Sequence, residues 1–220
     1  MSRDIGLREK LRALREGRLG LDDLYSLLDE LDESDSTHAE RDVAELLRHT
    51  NPIVRYTAIQ VLAFTWETRL YRDKLEAMLL HDLDTDVRHT AASALGWLLR
   101  GSQDAKATKL LLSSLRSEDE SAIVREVAYG ALLDIWLQPA GRERTTANVL
   151  RFADRILRYA ERSSALVREL DEALRAGNTA KEEAIRDALS RPDDSWKERV
   201  DWDAVAAIER GEAPKPRALG

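Results

Sequence analysis

Apolar residues recur every three or four positions along almost the whole chain, the spacing that gives an α-helix one buried stripe. Residues 4–16 place Leu7, Leu11 and Leu14 this way, and Gly17 and Gly20 bracket the stop. Asp22 can cap a second helix whose stripe is Leu24, Leu27, Leu28 and Leu31. From residue 37 the pattern predicts alternating outer and inner helices. The outer ones centre on Val43-Leu46-Leu47, Leu75-Met78-Leu79 and Leu110-Leu111-Leu115, and the inner ones run over about 53–66, 86–99 and 122–137. Short polar turns join each pair, with Asn51 or Thr50, and Asp84 or Asp86, placed to cap the next helix. Beyond 141 the stripes weaken: Val149, Phe152 and Ile156 form one, Val167, Leu170 and Leu174 another.

Each inner helix carries the same phrase. It reads Val54-Arg55-x-x-Ala58-x-x-x-Leu62, then Val87-Arg88-x-x-Ala91-x-x-x-Leu95, then Val124-Arg125-x-x-Ala128-x-x-x-Leu132, in copies 33 and 37 residues apart. Self-similarity at this period indicates stacked helical hairpins, since one hairpin cannot bury its apolar face alone. Small alanines let helices approach closely. The arginines sit at helix starts, where a lone cation is unfavourable, so pairing with turn carboxylates of their own or adjacent units is expected. Val167-Arg168 echoes the phrase, but Asp171 stands where alanine is expected.

The fullest copy, Asp86-Val87-Arg88-x-x-Ala91-x-x-Ala94-Leu95, resembles the second helix of HEAT repeats, particularly the short bacterial subtype also found in phycobilisome lyases. That resemblance covers residues 40–137 and implies an all-α, right-handed α-solenoid of antiparallel helix pairs of the HEAT/armadillo kind. The expected organisation is an N-terminal helical cap over 1–36 and three repeats over 37–140. A degenerate fourth repeat or C-terminal cap comes next over 141–191, then an irregular segment and mobile tail over 192–220. Within that last segment Asp203 opens a short helix to Arg210. In HEAT-like solenoids the inner helices line the concave surface, and such proteins mostly hold other proteins.

With valine as position 1, the core falls on positions 1, 5, 8, 9 and 12, and the opposite face centres on 3, 7, 10 and 14. Together with the flanking position 11, this nominates Tyr56, Gln60, Phe64, Glu67, His89, Ser93, Trp97, Arg100, Glu126 and Asp134 as a protein-binding face, with Gly96 in its middle. Aromatic anchors on such a row are typical of binding hot spots.

Charge adds a second candidate. The chain carries a net charge of −7, and residues 21–40 hold eight carboxylates with no Lys or Arg. Asp29, Glu30, Asp32 and Glu33 could dock a basic partner, although a solvated helix face is the simpler account, since surface charge runs are common. The acidic balance argues against nucleic acid. No apolar run approaches a membrane span, the start lacks signal-peptide character, and there is no cysteine; a cytoplasmic protein fits.

Catalytic chemistry finds little support. Residues 81–86 alternate carboxylates like a calcium loop, but Val87 and Ser93 stand where Gly and Glu would be needed. The four histidines lack zinc spacing, so no metal or other cofactor is expected. HEAT-like alkylpurine DNA glycosylases use Trp, Asp and Arg, and Trp97, Arg125, Asp134 and Trp136 supply those types. Yet no Trp is followed by Asp four residues on. The sequence therefore reads as a non-catalytic adaptor, regulator or inhibitor, including an immunity-type protein. A glycosylase, or another enzyme acting on nucleic acid, is the alternative. Oligomeric state stays open.

Overall fold

A computed structural model describes residues 9–14, 16, 39–137, 169, 172, 175–181 and 196–215. The acidic group Asp29, Glu30, Asp32 and Glu33 lies outside these residues, as does most of the expected N-terminal cap and of the segment 141–191.

Among the described residues, three antiparallel helix pairs form the body. The outer helices are α1 (Glu40–Leu46), α3 (Arg72–His81) and α5 (Ala105–Arg116); the inner ones are α2 (Pro52–Ile59), α4 (Thr85–Leu98) and α6 (Ala122–Leu137). Helix α2 passes without a break into a π-helical turn over Gln60–Thr65. Two short helices lie near the C-terminus, α7 (Trp196–Arg199) and α8 (Trp202–Glu209).

The expected turn residues start these helices. Asn51 Oδ1 accepts from the Ile53 amide at 2.9 Å, with Pro52 supplying the first helical position. Asp84 Oδ1 accepts from the Asp86 and Val87 amides at 3.0 and 3.1 Å. A further cap, not singled out by the sequence pattern, is Asp104, which starts α5 by accepting from the Ala107 amide at 2.9 Å. Such caps satisfy amides that a helix start leaves unpaired, each stabilising by about 1 kcal/mol.

The repeated phrase supplies the core. Its valines, alanines and leucines, from Val54 to Leu132, are at most 2% exposed. α4 packs on α3, on α2 and most extensively on α6. Close approach is enforced at Gly96, where a Cβ would lie 2.7 Å from the Ala131 Cα. The turn after the second pair locks onto the third: Gly101 (φ 67°) donates to the Asp134 carbonyl at 3.0 Å, and Gln103 to that of Ile135 at 3.1 Å.

The segment expected to be irregular holds α7 and α8. Their Trp196, Val205 and Ile208, with Val200 between the two helices, are buried in the same core as the repeats. The short helix expected from Asp203 begins at Trp202, and Asp201 caps it, accepting from the Asp203 and Ala204 amides at 3.1 and 3.0 Å.

Candidate protein-binding face

Phe64 leaves the π-turn and its ring lies 6.2 Å from that of Trp97, tilted by 52°. The Arg100 guanidinium sits 4.5 Å above the Trp97 ring, donates to the Trp97 carbonyl at 2.6 Å and pairs with Glu67 at 3.2 Å. Four of the nominated residues thus converge where the first two repeats meet. Sequence periodicity put them on one face; the π-turn sets their contact. The extra residue in such a turn rotates the downstream side chains relative to a straight α-helix. The Trp66 amide donates to the Val61 carbonyl at 2.9 Å, and Glu67 turns to φ 49°. The indole N–H groups of Trp66 and Trp97 are buried and meet no acceptor among the described residues.

The remaining nominated residues fall into two groups. Tyr56, Gln60, Glu126 and Asp134 are half-buried, whereas His89 and Ser93 are only 6% and 8% exposed, as buried as Arg100 of the cluster. Gly96, expected mid-face, faces Ala131 on α6 instead. The open face is therefore narrower than a 100° wheel expects, because one flank of each inner helix packs on the next. Burial lowers the His89 pKa, opposed by Asp86 at 3.4 Å.

At the third repeat a cis segment meets this face. Arg199 grips Glu126 at 2.8 and 3.0 Å, and the Asp201 amide donates to the Tyr129 hydroxyl at 3.1 Å. Neither Arg199 nor Tyr129 is singled out by the repeat pattern. They act through contacts 73 and 72 residues apart in sequence, which periodicity cannot register.

The repeat arginines serve the stack. Arg55 reaches Asp82 of the next unit at 2.6 and 2.8 Å, and Arg88 reaches Glu120 at 2.9 and 3.0 Å. The third departs from that expectation: Arg125 donates to the Leu115 carbonyl at 3.0 Å and lies 4.5 Å from the Trp196 ring. In its first two copies, paired by the carboxylate of the following unit, the phrase is a repeat-stacking device.

Residues 40–133 match the family model for HEAT repeats. The described array is accordingly a HEAT-repeat fold, an all-α solenoid of paired antiparallel helices. No curated protein and no solved structure matches the chain. Among the described residues, no group of three or more His, Asp or Glu is set to hold a metal ion, and no helix is long and apolar enough to cross a membrane. HEAT repeats supply the scaffold on which the aromatic and charged cluster sits.

Proposed function

We propose that this chain is a non-catalytic protein-binding scaffold, an adaptor, regulator or inhibitor that holds another protein on its inner helices. The observation that supports this best is the Phe64–Glu67–Trp97–Arg100 cluster. It joins two repeats and sets the half-buried Phe64 and Trp97 rings against the buried Arg100 guanidinium, and Tyr56 and Gln60, earlier on the same inner helix as Phe64, are half-buried too. Aromatic side chains of this kind carry much of the energy at hot spots.

Residue types that a glycosylase would recruit are engaged elsewhere: Arg125 under Trp196, and the Trp136 indole on the Thr108 hydroxyl at 3.0 Å. That engagement favours binding over catalysis. The acidic balance suits a basic partner, and a toxin-neutralising immunity protein is one concrete form. The phrase around Asp86-Val87-Arg88 supports the short bacterial subtype, and a cytoplasmic setting fits a chain without cysteine.

Affinity capture from the source organism, with mass spectrometry of the retained proteins, tests this reading. Combining Tyr56→Ala with Trp97→Ala should reduce partner recovery at least about tenfold, while far-UV dichroism keeps the wild-type helicity. Unchanged recovery would remove the inner face from the binding site. Release of alkylated bases from DNA by the purified chain would overturn the non-catalytic assignment.

A further inference from the structure

The turns inside the repeats form one edge of the array, and the repeat arginines tie them together. Arg55 donates to the His49 and Thr50 carbonyls of its own turn at 2.8 and 3.0 Å, and to Asp82 in the next. Arg88 does the same with the Asp82 and Leu83 carbonyls at 2.8 and 3.2 Å, and with Glu120. This makes Thr50 and Leu83 equivalent, each five residues before its arginine, and the same count from Arg125 reaches Glu120. Two of the three tips are polar. The middle one is a leucine that is 97% exposed, and Leu80, three residues earlier at the end of α3, is 47% exposed.

Leu83 also stands on an immobilised backbone. The Asp82 amide donates to the Met78 carbonyl and the Asp84 amide to Asp82 Oδ1, both at 3.0 Å. Arg88 holds the carbonyls of Asp82 and Leu83. An apolar group presented this way gives up little further backbone freedom on docking. A repeat position that is otherwise polar, made apolar and rigid, is what an anchor requires.

The surrounding charge defines the partner's chemistry. The stretches 80–87 and 117–121 contain six carboxylates and no Lys or Arg. Arg55 and Arg88 neutralise Asp82 and Glu120. Among the described residues, Asp84, Asp86, Glu118 and Asp119 form no ion pair with Lys or Arg. We propose that the Leu83 tip anchors a second protein contact, whose partner presents an apolar socket ringed by lysine or arginine side chains. This contact lies on the turn edge and does not depend on the inner-helix face.

Photo-crosslinking tests it on the full chain. Benzoylphenylalanine is placed at Leu83 and, in a separate control, at exposed Ser113 on α5; each protein is irradiated in lysate of the source organism. The expected result is a crosslink yield at 83 at least about fivefold above that at 113, to protein segments rich in Lys and Arg. Glu118→Lys with Asp119→Lys should lower that yield about tenfold. Both carboxylates are exposed, so the melting curve should stay that of the parent. Equal yields at the two positions, insensitivity to the charge reversal, or crosslinks to acidic segments or nucleic acid would each overturn the proposal.

Discussion

Asp104 does three jobs at once, which makes it the residue where single-atom chemistry has the widest reach. Its carboxylate takes two hydrogen bonds from Arg72 at 2.6 and 2.7 Å, caps α5, and thereby ties α3 to α5. Arg72 also holds buried Glu76 at 2.7 Å, and Lys106 reaches the same carboxylate at 2.6 Å. The Arg72 hydrogen bonds hold the Asp104 carboxyl below its ordinary range, aided by the Ala107 amide. A folded-state pKa below the unfolded one gives stability that is complete above about pH 4 and lost as pH falls through the folded value. Asp104→Asn should therefore cost about 1–3 kcal/mol in urea melts near neutrality. The gap to wild type should narrow at about pH 3. A pH-independent gap would show that the pair contributes nothing. At this scale the sequence was legible where the motif repeats, in Arg55 and Arg88, and silent where the partner is not part of a repeat, as for Arg125.

Among the elements, α4 shows best how packing overrides local preference. Gly96 sits inside a 14-residue helix, where alanine would be favoured by about 1 kcal/mol. A Cβ there would meet Ala131 Cα and Cβ at 2.7 Å, and neither backbone nor methyl can swing aside. Overpacking costs about 1–3 kcal/mol and outweighs the propensity gain. Gly96→Ala should lower stability by about 1–2 kcal/mol, read as a reduced urea midpoint at unchanged slope. A stabilised variant would show that the α4–α6 contact is looser than the distances imply. The helical wheel put Gly96 on the open face because an average period carries no information about which flank meets the next helix. The π-turn over Gln60–Thr65 was equally hidden, since nothing in Gln-Val-Leu-Ala-Phe-Thr departs from α-helical patterning.

For the whole molecule, the end of the chain finishes what the repeats begin. Trp196 is 1% exposed and covers the guanidinium that the first two units pass to a carboxylate. Its neighbour Trp202 touches it at 6.2 Å between ring centroids but is 41% exposed. Trp196→Ala should cost about 3–5 kcal/mol, as a buried large-to-small change does. Trp202→Ala should cost much less. Thermal denaturation of the two variants separates a C-terminal cap that is part of the cooperative unit from one that merely rests on it; equal, small losses would support the latter. Arg116–Glu209 and Arg199–Glu126 add exposed ion pairs at this junction at 2.6 and 2.8 Å, each a minor contribution in water.

The sequence by itself determined the helices, their pairing into HEAT repeats, the core positions of the repeated phrase and the capping turns. Each of these depends on local periodicity and on contacts that recur with the period. Tertiary structure decided which nominated residues meet: Phe64, Glu67, Trp97 and Arg100 across two repeats, and Glu126 with Arg199. It also decided that Gly96 faces a helix and that the C-terminal segment contributes a buried tryptophan. Those contacts join residues far apart in the chain, and their free energy comes from surfaces that exist only once the helices have packed.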